Sequence, residues 1–225
     1  MIFNENTITN IIIPVVSIPT IDMFLCCIFG YKSRWFQLHS AINAIILLTI
    51  YEEVIELFIN PIVNNKTEIS KIDSNYIILL HTYHLIIAKK LTYMDIFHHI
   101  LFVGFGLVPT YIFFNNNLIK LVSFSTCGLT GCIEYFMLSL VKHEKMTSLE
   151  QKYINSYIYN YIRYPLTMYT LVSTYISYIT NPDIMEYPIL LIYINLLLFF
   201  NGSYYNKITI ENYIEHKKKV YSLST

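Results

Sequence analysis

Long runs of apolar residues constrain this chain more than any other feature. A helix that crosses a bilayer needs about 20 mostly apolar residues. Seven stretches approach that length, and they cover residues 8–29, 36–59, 75–88, 96–114, 118–141, 157–179 and 184–200. The runs are too long for strands and lack the two-residue alternation of a half-buried sheet. The sequence therefore predicts an all-α protein, a multi-pass transmembrane helical bundle of about seven helices.

The composition agrees with a membrane protein and argues against a nucleic acid partner. Charged residues make up 13% of the chain, against roughly 25% in an ordinary soluble domain. The 15 cationic side chains are balanced by 15 anionic ones, whereas nucleic-acid-binding proteins usually carry a basic excess. The four cysteines lie in apolar stretches without metal-binding spacing. We expect them to pack as small apolar residues.

The placement of lysine and arginine predicts the orientation of the bundle. The leading residues MIFNENT carry no positive charge, unlike a cleaved signal peptide, so we expect a retained first helix with the N-terminus outside. The loops that would then be cytoplasmic contain eleven lysines and arginines, against three on the opposite side, as the positive-inside rule requires. An odd number of helices leaves the C-terminus cytoplasmic. The NKT triplet at Asn65, a glycosylation acceptor pattern, then falls outside.

These expectations divide the chain into three parts. Residues 1–33 contain the first transmembrane helix, and residues 34–207 form a six-helix membrane domain. Residues 208–225 form a solvated basic tail in the cytoplasm, where contact with anionic lipid is expected.

Ionisable side chains inside the predicted spans give the first indication of function. In the predicted topology these groups share the inner half of the membrane, and they are His84, Asp95, His98, His99, Glu134 and Arg163. We expect no comparable set in the outer half, where Lys120 is assigned to a loop. Because ionisable groups are costly in a bilayer, they usually face a bundle interior or a water-filled cavity and mark a functional site.

The sixth predicted span carries one polar stripe. Its members recur at alternating four- and three-residue steps, and they are Ser156, Asn160, Arg163, Thr167, Thr170 and Thr174. Lipid cannot satisfy these groups, so we expect the stripe to face the bundle. Glu134 on the fifth span is expected to lie within reach of Arg163 and to form an ion pair with it.

The adjacent histidines on the fourth span suggest acid–base chemistry. Asp95 precedes His98 by three residues and His99 by four, so its carboxylate can hydrogen-bond a ring N–H of either. A carboxylate–imidazole pair is the smallest unit of a general base. His81 and His84 on the third span are spaced to face this pair. For His81, His39 and His143, helix capping or headgroup contact is the expectation that competes with a role in the site.

Three stretches together resemble the TLC-domain family, which includes ceramide synthases, translocon-associated membrane proteins and lipid-related proteins of uncertain activity. The stretches are RWFQLHSAINAIIL at 34–47, NYIILLHTYHLI at 75–86 and DIFHHILFVGF at 95–105. The D-x-x-H-H step of the family is matched by Asp95, His98 and His99. Glu134 and Arg163 are similar to the family's acidic and basic positions on the next two helices. The paired aspartates of ceramide synthases are absent from STCGLTGCIEY.

The resemblance implies a TLC-like domain over 34–207, an internal membrane such as the endoplasmic reticulum or a related host membrane, and lipid chemistry. The first hypothesis is a protein that binds, senses or modifies a membrane lipid or acyl chain and influences membrane lipid composition. The alternative is an acyl-CoA-dependent acyltransferase with His98, His99 and Asp95 as catalytic residues. In either case the candidate substrate-binding residues are His84, Glu134, Asn160 and Arg163.

A metal enzyme is the third hypothesis that the residues allow. His84, one of the paired histidines and Glu134 would ligate zinc with one open position. The chain has only seven histidines, too few for the arrays of diiron membrane hydroxylases, so we expect no metal. The sequence shows no phosphate loop or dinucleotide fingerprint, and we expect no cofactor. It leaves the oligomeric state open.

Overall fold

The computed structural model describes residues 5–62, 70–88, 90–114, 116–182 and 187–222, with side chains from position 8 onward. These residues form helices and no strand, which confirms the all-α prediction. The helices are α1 (Glu5–Phe29), α2 (Arg34–Ile59), α3 (Ile72–Ile87), α4 (Tyr93–Phe113), α5 (Leu118–Lys142), α6 (148–180) and α7 (Pro188–Ser222). The glycosylation triplet at Asn65 lies outside the described residues.

Four of these helices are long and apolar enough to cross a membrane. They are α1 from Ile8, α4, α5 and α7. Helix α3 has only 16 residues, and α2 and α6 bury many polar side chains. The structure therefore supports a membrane-embedded helical protein. Of the seven predicted spans, four correspond to helices whose length and hydropathy suffice for crossing a membrane.

Consecutive helices run in opposite directions, so their connections collect at two ends. At the Lys32 end, Lys32 contacts Glu144 at 2.8 Å and Ser33 Oγ lies 2.8 Å from His143 Nε2. The ammonium of Lys32 lowers the pKa of the exposed Glu144 carboxyl. At the opposite Pro61 end, the Ser177 hydroxyl donates to the Pro61 carbonyl at 3.1 Å. Loops that the sequence assigned to one membrane side thus share one end.

Helix α2 lies at the centre of the bundle. Leu38, Ile42, Ile46 and Ile50 recur every four residues and are fully buried, so they form one continuous apolar face. Helix α5 approaches α2 closely at Gly131, where an added Cβ would lie 2.7 Å from an Asn43 side-chain atom. Close approach of two helices at a small residue is the usual packing mode inside membranes.

Three helices contain a π-helical segment. The segments are His99–Leu107 in α4, Phe124–Gly128 in α5 and Tyr159–Arg163 in α6. A π-helix is wider than an α-helix, so each segment rotates the residues that follow it relative to those before it. Such segments are rare and are frequent at functional sites.

Two buried ion pairs correct the predicted distribution of charge. Lys120 Nζ lies 2.5 Å from Asp73 Oδ1, both side chains are at most 1% exposed, and Ser123 donates to the same carboxylate at 2.6 Å. Lys120 was expected in an outer loop, yet its ammonium is buried between α3 and α5. A buried ion pair therefore lies near the Pro61 end, where the sequence analysis expected no ionisable set. Lys120 lies beside an apolar run, where a lysine is usually exposed at a helix end, so its burial could not be recognised from the sequence.

The second buried pair joins α1 to α2 near the Lys32 end. Arg34 Nε donates to both oxygens of Asp22 at 3.0 Å, and the Tyr83 hydroxyl donates to Asp22 Oδ2 at 2.7 Å. Because Asp22 is 3% exposed, its charge depends on these partners. This contact anchors the first helix to the rest of the bundle.

Helix α7 is longer than a bilayer is thick. It continues without a break from Pro188 through the expected domain boundary at 207 and 208 to Ser222. Its 35 residues correspond to about 52 Å at 1.5 Å per residue, against a hydrocarbon core of about 30 Å. The basic segment 208–222 is therefore a rigid helical extension rather than a loose tail.

Candidate ligand-binding cavity

A cavity of about 400 Å³ opens at the Lys32 end of the bundle, and α2 to α7 all contribute to its wall. Six of the seven candidate site residues line it: His84, Asp95, His98, His99, Glu134 and Arg163. Its volume falls within the usual range of small-molecule sites. The structure thus brings together groups that are up to 79 positions apart, from His84 to Arg163.

Asn160 is the one candidate that does not reach the cavity. Its side chain is exposed, while Tyr159 beside it is 3% exposed and lines the wall. The π-helical segment Tyr159–Arg163 inserts an extra residue into this turn, so the stripe passes from Asn155 and Ser156 to Tyr159. The prediction for Asn160 is wrong because it assumed a regular α-helix.

Five of the seven histidines form one cluster in the cavity wall. The ring of His81 lies 4.9 Å from that of His99 and 5.6 Å from that of His98, centroid to centroid. His84 lies 5.3 Å from His99, and His39 lies 5.2 Å from His84. His39 and His81 are 4% and 6% exposed, so neither caps a helix nor meets headgroups. That part of the expectation is wrong.

Backbone carbonyls fix the orientation of three of these rings. Nδ1 of His39 lies 2.7 Å from the Trp35 carbonyl, and Nδ1 of His81 lies 2.7 Å from the Ile77 carbonyl. His99 Nδ1 contacts the Asp95 carbonyl in the same way. A carbonyl can only accept, so each Nδ1 carries the proton. In a singly protonated ring the other nitrogen, Nε2, is then an acceptor.

The carboxylate of Asp95 does not orient either histidine of the pair. It accepts from the Thr92 backbone N–H at 2.8 Å and from the Thr92 hydroxyl at 2.7 Å, and Thr92 in turn accepts from the Asp95 N–H. This is a capping box at the start of α4. The predicted carboxylate–imidazole pair is therefore wrong. His99 is oriented by the main-chain carbonyl of Asp95 instead.

The remaining two rings are held by aromatic side chains. His98 Nδ1 lies 3.0 Å from the Tyr205 hydroxyl on α7. His84 stacks on Trp35 with ring centroids 4.4 Å apart, and its buried Nδ1 has no hydrogen-bond partner. His99 Nε2 is likewise buried without a partner. Because an unpaired buried polar atom costs about 1–3 kcal/mol, these two nitrogens are available to a ligand.

Glu134 and Arg163 belong to one network but do not form the expected ion pair. Glu134 accepts from the Asn155 amide at 3.0 Å and from the Tyr159 hydroxyl at 2.5 Å. Arg163 donates to the same Tyr159 hydroxyl and, at 3.1 Å, to Asn201 Oδ1. The phenol of Tyr159 therefore lies between the two charges, and the prediction of a direct ion pair is wrong.

Arg163 presents a buried positive charge to the cavity. Its side chain is 6% exposed, its guanidinium lies 5.4 Å from the centre of the Tyr205 ring, and its Nε has no hydrogen-bond partner. Uncharged groups hold both terminal nitrogens, so no carboxylate contacts this cation. A permanently charged, planar guanidinium in this state suits a phosphate or carboxylate.

An apolar annex adjoins the polar cavity. It has a volume of about 80 Å³ and is lined mainly by aliphatic and aromatic side chains of α3, α4, α5 and α7. The two spaces share five lining residues: His81, His98, Thr126, Cys127 and Arg163. The annex therefore adjoins the cavity on the side toward the middle of the bundle, and its lining is more apolar.

The described side chains offer no assembled metal centre. Among them, no group of three or more histidine, cysteine, aspartate or glutamate side chains is arranged to hold a metal ion. The zinc set considered above fails in particular at Glu134, whose oxygens face Asn155 and Tyr159. The histidine rings instead pack edge to face against one another.

Several residues of the site escaped sequence reasoning. Tyr159 lies four residues before Arg163, a spacing that places two side chains on one helix face, so this partner was accessible from the pattern. Tyr205 and Asn201 lie at the end of the last apolar run and beyond it, where nothing in the local sequence marks them. His39 stood alone in its span and gave no spacing signal.

No family model matches the chain, and neither a curated protein nor a solved structure matches it.

Proposed function

We propose that this chain is a seven-helix integral membrane protein that binds a lipid in its polar cavity and thereby influences membrane lipid composition. The membrane is that of the endoplasmic reticulum or a related internal membrane. The N-terminus lies on its non-cytoplasmic side and the C-terminus on its cytoplasmic side. Four helices of spanning character support the membrane placement. Helices α2, α3 and α6 cross with them, because many of their polar side chains are buried inside the bundle. The proposal includes that residues 34–207 form a TLC-like domain.

The observation that carries the lipid proposal is the junction between the polar cavity and the apolar annex. An amphiphile needs a polar space for its headgroup and an apolar one for its chain, and both must be continuous. Five residues line both spaces, Arg163 among them. Exposed apolar side chains on α4 and α7, including Ile100 and Phe200, face the surrounding lipid from which such a ligand comes.

Acyl transfer from acyl-CoA is the second candidate, and one observation favours it. His99 is 6% exposed, and its unpartnered Nε2 carries a lone pair while Nδ1 is held by a carbonyl. That is the state in which an imidazole accepts a proton or attacks a thioester. The cavity opens at the predicted cytoplasmic end of the bundle, which suits a soluble acyl-CoA donor. Asp95 has no part in this chemistry, because its carboxylate caps α4.

Lipid profiling of cells that express the protein tests the proposal. Wild type, the double variant His98→Ala/His99→Ala and the control His216→Ala are compared at equal protein levels. We expect wild type and His216→Ala to shift the same lipid class and the double variant to lose the shift. An identical shift from the double variant removes the pair from any catalytic role. No shift from wild type contradicts an influence on lipid composition.

Purified protein separates binding from catalysis. Incubation with acyl-CoA releases free CoA when the acyl group passes to a lipid acceptor or to water, so a thiol assay together with detection of the acylated lipid, on wild type and His99→Ala, decides between the two candidates. Lipid that co-purifies without CoA release supports the binding protein. Orientation is tested separately by the Asn65→Gln variant, which should remove a glycosylated band if that loop lies outside.

A further inference from the structure

Resting on the proposed lipid-binding function, we propose that the cavity selects a phospholipid whose headgroup carries an N–H or O–H donor in addition to its phosphate. Arg163 receives the phosphate and His99 Nε2 accepts the donor. A choline headgroup, whose nitrogen is fully methylated, has no such donor and is discriminated against.

His99 supplies the acceptor. Its side chain is 6% exposed, it lines the cavity, and Nε2 is buried with no partner among the described residues. Since Nδ1 is committed to the Asp95 carbonyl, the ring cannot turn Nε2 toward another group without breaking that bond. A ligand that offers a donor at this point satisfies the orphaned nitrogen, and one that offers methyl groups leaves it unpaired.

Among the described residues, the neighbours of His99 offer no hydrogen-bond donor to its Nε2. The rings of His81, His84 and His98 lie 4.9, 5.3 and 5.7 Å from it, and Arg163 adds a fixed positive charge to the same cavity. Asp95, the acidic group on the same helix turn, is engaged by Thr92.

Arg163 supplies the anion site. Tyr159 and Asn201 hold its two terminal nitrogens in place, so the guanidinium plane is fixed before a ligand arrives. Its Nε is buried and unpartnered, and charge-assisted hydrogen bonds from arginine to phosphate oxygens are among the strong ones. Glu134 is kept from neutralising this charge directly by the intervening Tyr159 hydroxyl.

The order of these groups along the cavity matches the order of groups in a phospholipid. The apolar annex borders Arg163, while His99 lines only the polar cavity beyond it. The acyl chain therefore enters the annex, the phosphate binds the guanidinium of Arg163, and the terminal donor reaches the imidazole of His99. Tyr205 contacts Arg163 through its ring face, 5.4 Å away, and His98 through its hydroxyl, so about one aromatic ring separates Arg163 from His98, whose ring centre lies 5.7 Å from that of His99.

A methylation series of one lipid tests the proposal directly. Dioleoyl phosphatidylethanolamine, its N-methyl and N,N-dimethyl derivatives, and dioleoyl phosphatidylcholine share chains, phosphate and charge, and only the last lacks an N–H. The purified full chain in detergent reports binding through the fluorescence of Trp35, the single tryptophan, which stacks on His84 in the cavity wall. We expect the first three lipids to bind alike and phosphatidylcholine about tenfold more weakly.

Variants assign the effect to the proposed groups. His99→Phe should bind all four lipids with equal affinity, whereas His216→Phe, outside the cavity, should keep the tenfold step. Arg163→Gln should weaken binding of all four. Trp35→Phe abolishes the optical signal and identifies its source. Because the wild-type series is informative by itself, the test stands even if His99→Phe does not fold.

The outcomes separate this inference from the proposed function. A gradual decline across the series points to headgroup size and overturns the donor requirement, as does equal binding of all four lipids; lipid binding itself then stands. A response to inorganic phosphate or phosphoethanolamine equal to that of the whole lipid shows a soluble anion site and overturns both proposals. No response to any lipid overturns both as well.

Discussion

Glu134 and Arg163 are linked through the hydroxyl of Tyr159, which donates to the carboxylate and accepts from the guanidinium. One neutral group thus satisfies two opposite charges in a buried position. This arrangement holds the cavity wall together where α5, α6 and α7 meet, because Arg163 also donates to Asn201 on α7.

Removing that hydroxyl should destabilise the protein. Tyr159→Phe leaves one oxygen of Glu134 and one nitrogen of Arg163 without a partner, and we expect the free energy of unfolding in detergent to fall by about 2 kcal/mol. Tyr161→Phe, two residues along on the exposed face, is the matched control and should change stability by less than about 0.5 kcal/mol. Equal stability of the two variants would show that the link is not formed.

The buried pair of Asp73 and Lys120 predicts a larger effect. Asp73→Asn leaves an ammonium that is 1% exposed without its counter-charge, and unfolding in detergent should become easier by about 3 kcal/mol. The exposed pair of Lys207 and Glu211, 3.8 Å apart, provides the control, and Glu211→Gln should have almost no effect. The double variant Asp73→Asn/Lys120→Met should recover part of the loss; failure to recover would argue against the pair.

Close packing of α6 on α7 depends on the lack of a side chain at Gly202. An added Cβ would lie 2.9 Å from Thr167 Cγ2 and 3.3 Å from Thr167 Cβ, and a β-branched side chain has little freedom to move away. We expect Gly202→Ala to lower the melting temperature in detergent, with a cost of about 1–3 kcal/mol. Gly104→Ala, whose Cβ meets nothing closer than 3.7 Å, should be neutral or stabilising.

The capping box at the start of α4 predicts that Thr92 and Asp95 act as one unit. Thr92→Ala and Asp95→Ala should each cost about 1 kcal/mol of stability, and the double variant should cost less than the sum of the two, because both single variants lose the hydrogen bond between the Thr92 hydroxyl and the Asp95 carboxylate. Urea titration of the four proteins measures this. A loss of lipid binding in Asp95→Ala alone would instead return its carboxylate to the cavity chemistry.

Much of the architecture was accessible from the sequence because membrane helices are specified by run length. Each of the seven predicted apolar stretches overlaps a helix, and Lys32 contacts Glu144, which the prediction placed in a loop on the same side. The histidine pair and Arg163 were recognisable because ionisable groups stand out in apolar surroundings. Their convergence could be predicted because all of them were assigned to the same depth in the membrane.

What the sequence could not provide was rotation about the helix axes. The π-helical segment Tyr159–Arg163 exchanged Asn160 for Tyr159 in the cavity, and no composition marks where such a segment begins. Lys120 was placed in a loop because charge is expected at helix ends, whereas its partner Asp73 lies 47 positions away. His39 joined the cluster through packing of α2 on α3, which is a tertiary property.

The length of α7 has a mechanical consequence. Its inner half carries Tyr205, Ile208 and Thr209 on the cavity wall, and Asn212 at the rim is exposed. Beyond them the same unbroken helix carries three consecutive exposed lysines at 217–219. Because the helix is unbroken, we expect attraction of these lysines to an anionic surface to act mechanically on Tyr205 in the cavity wall.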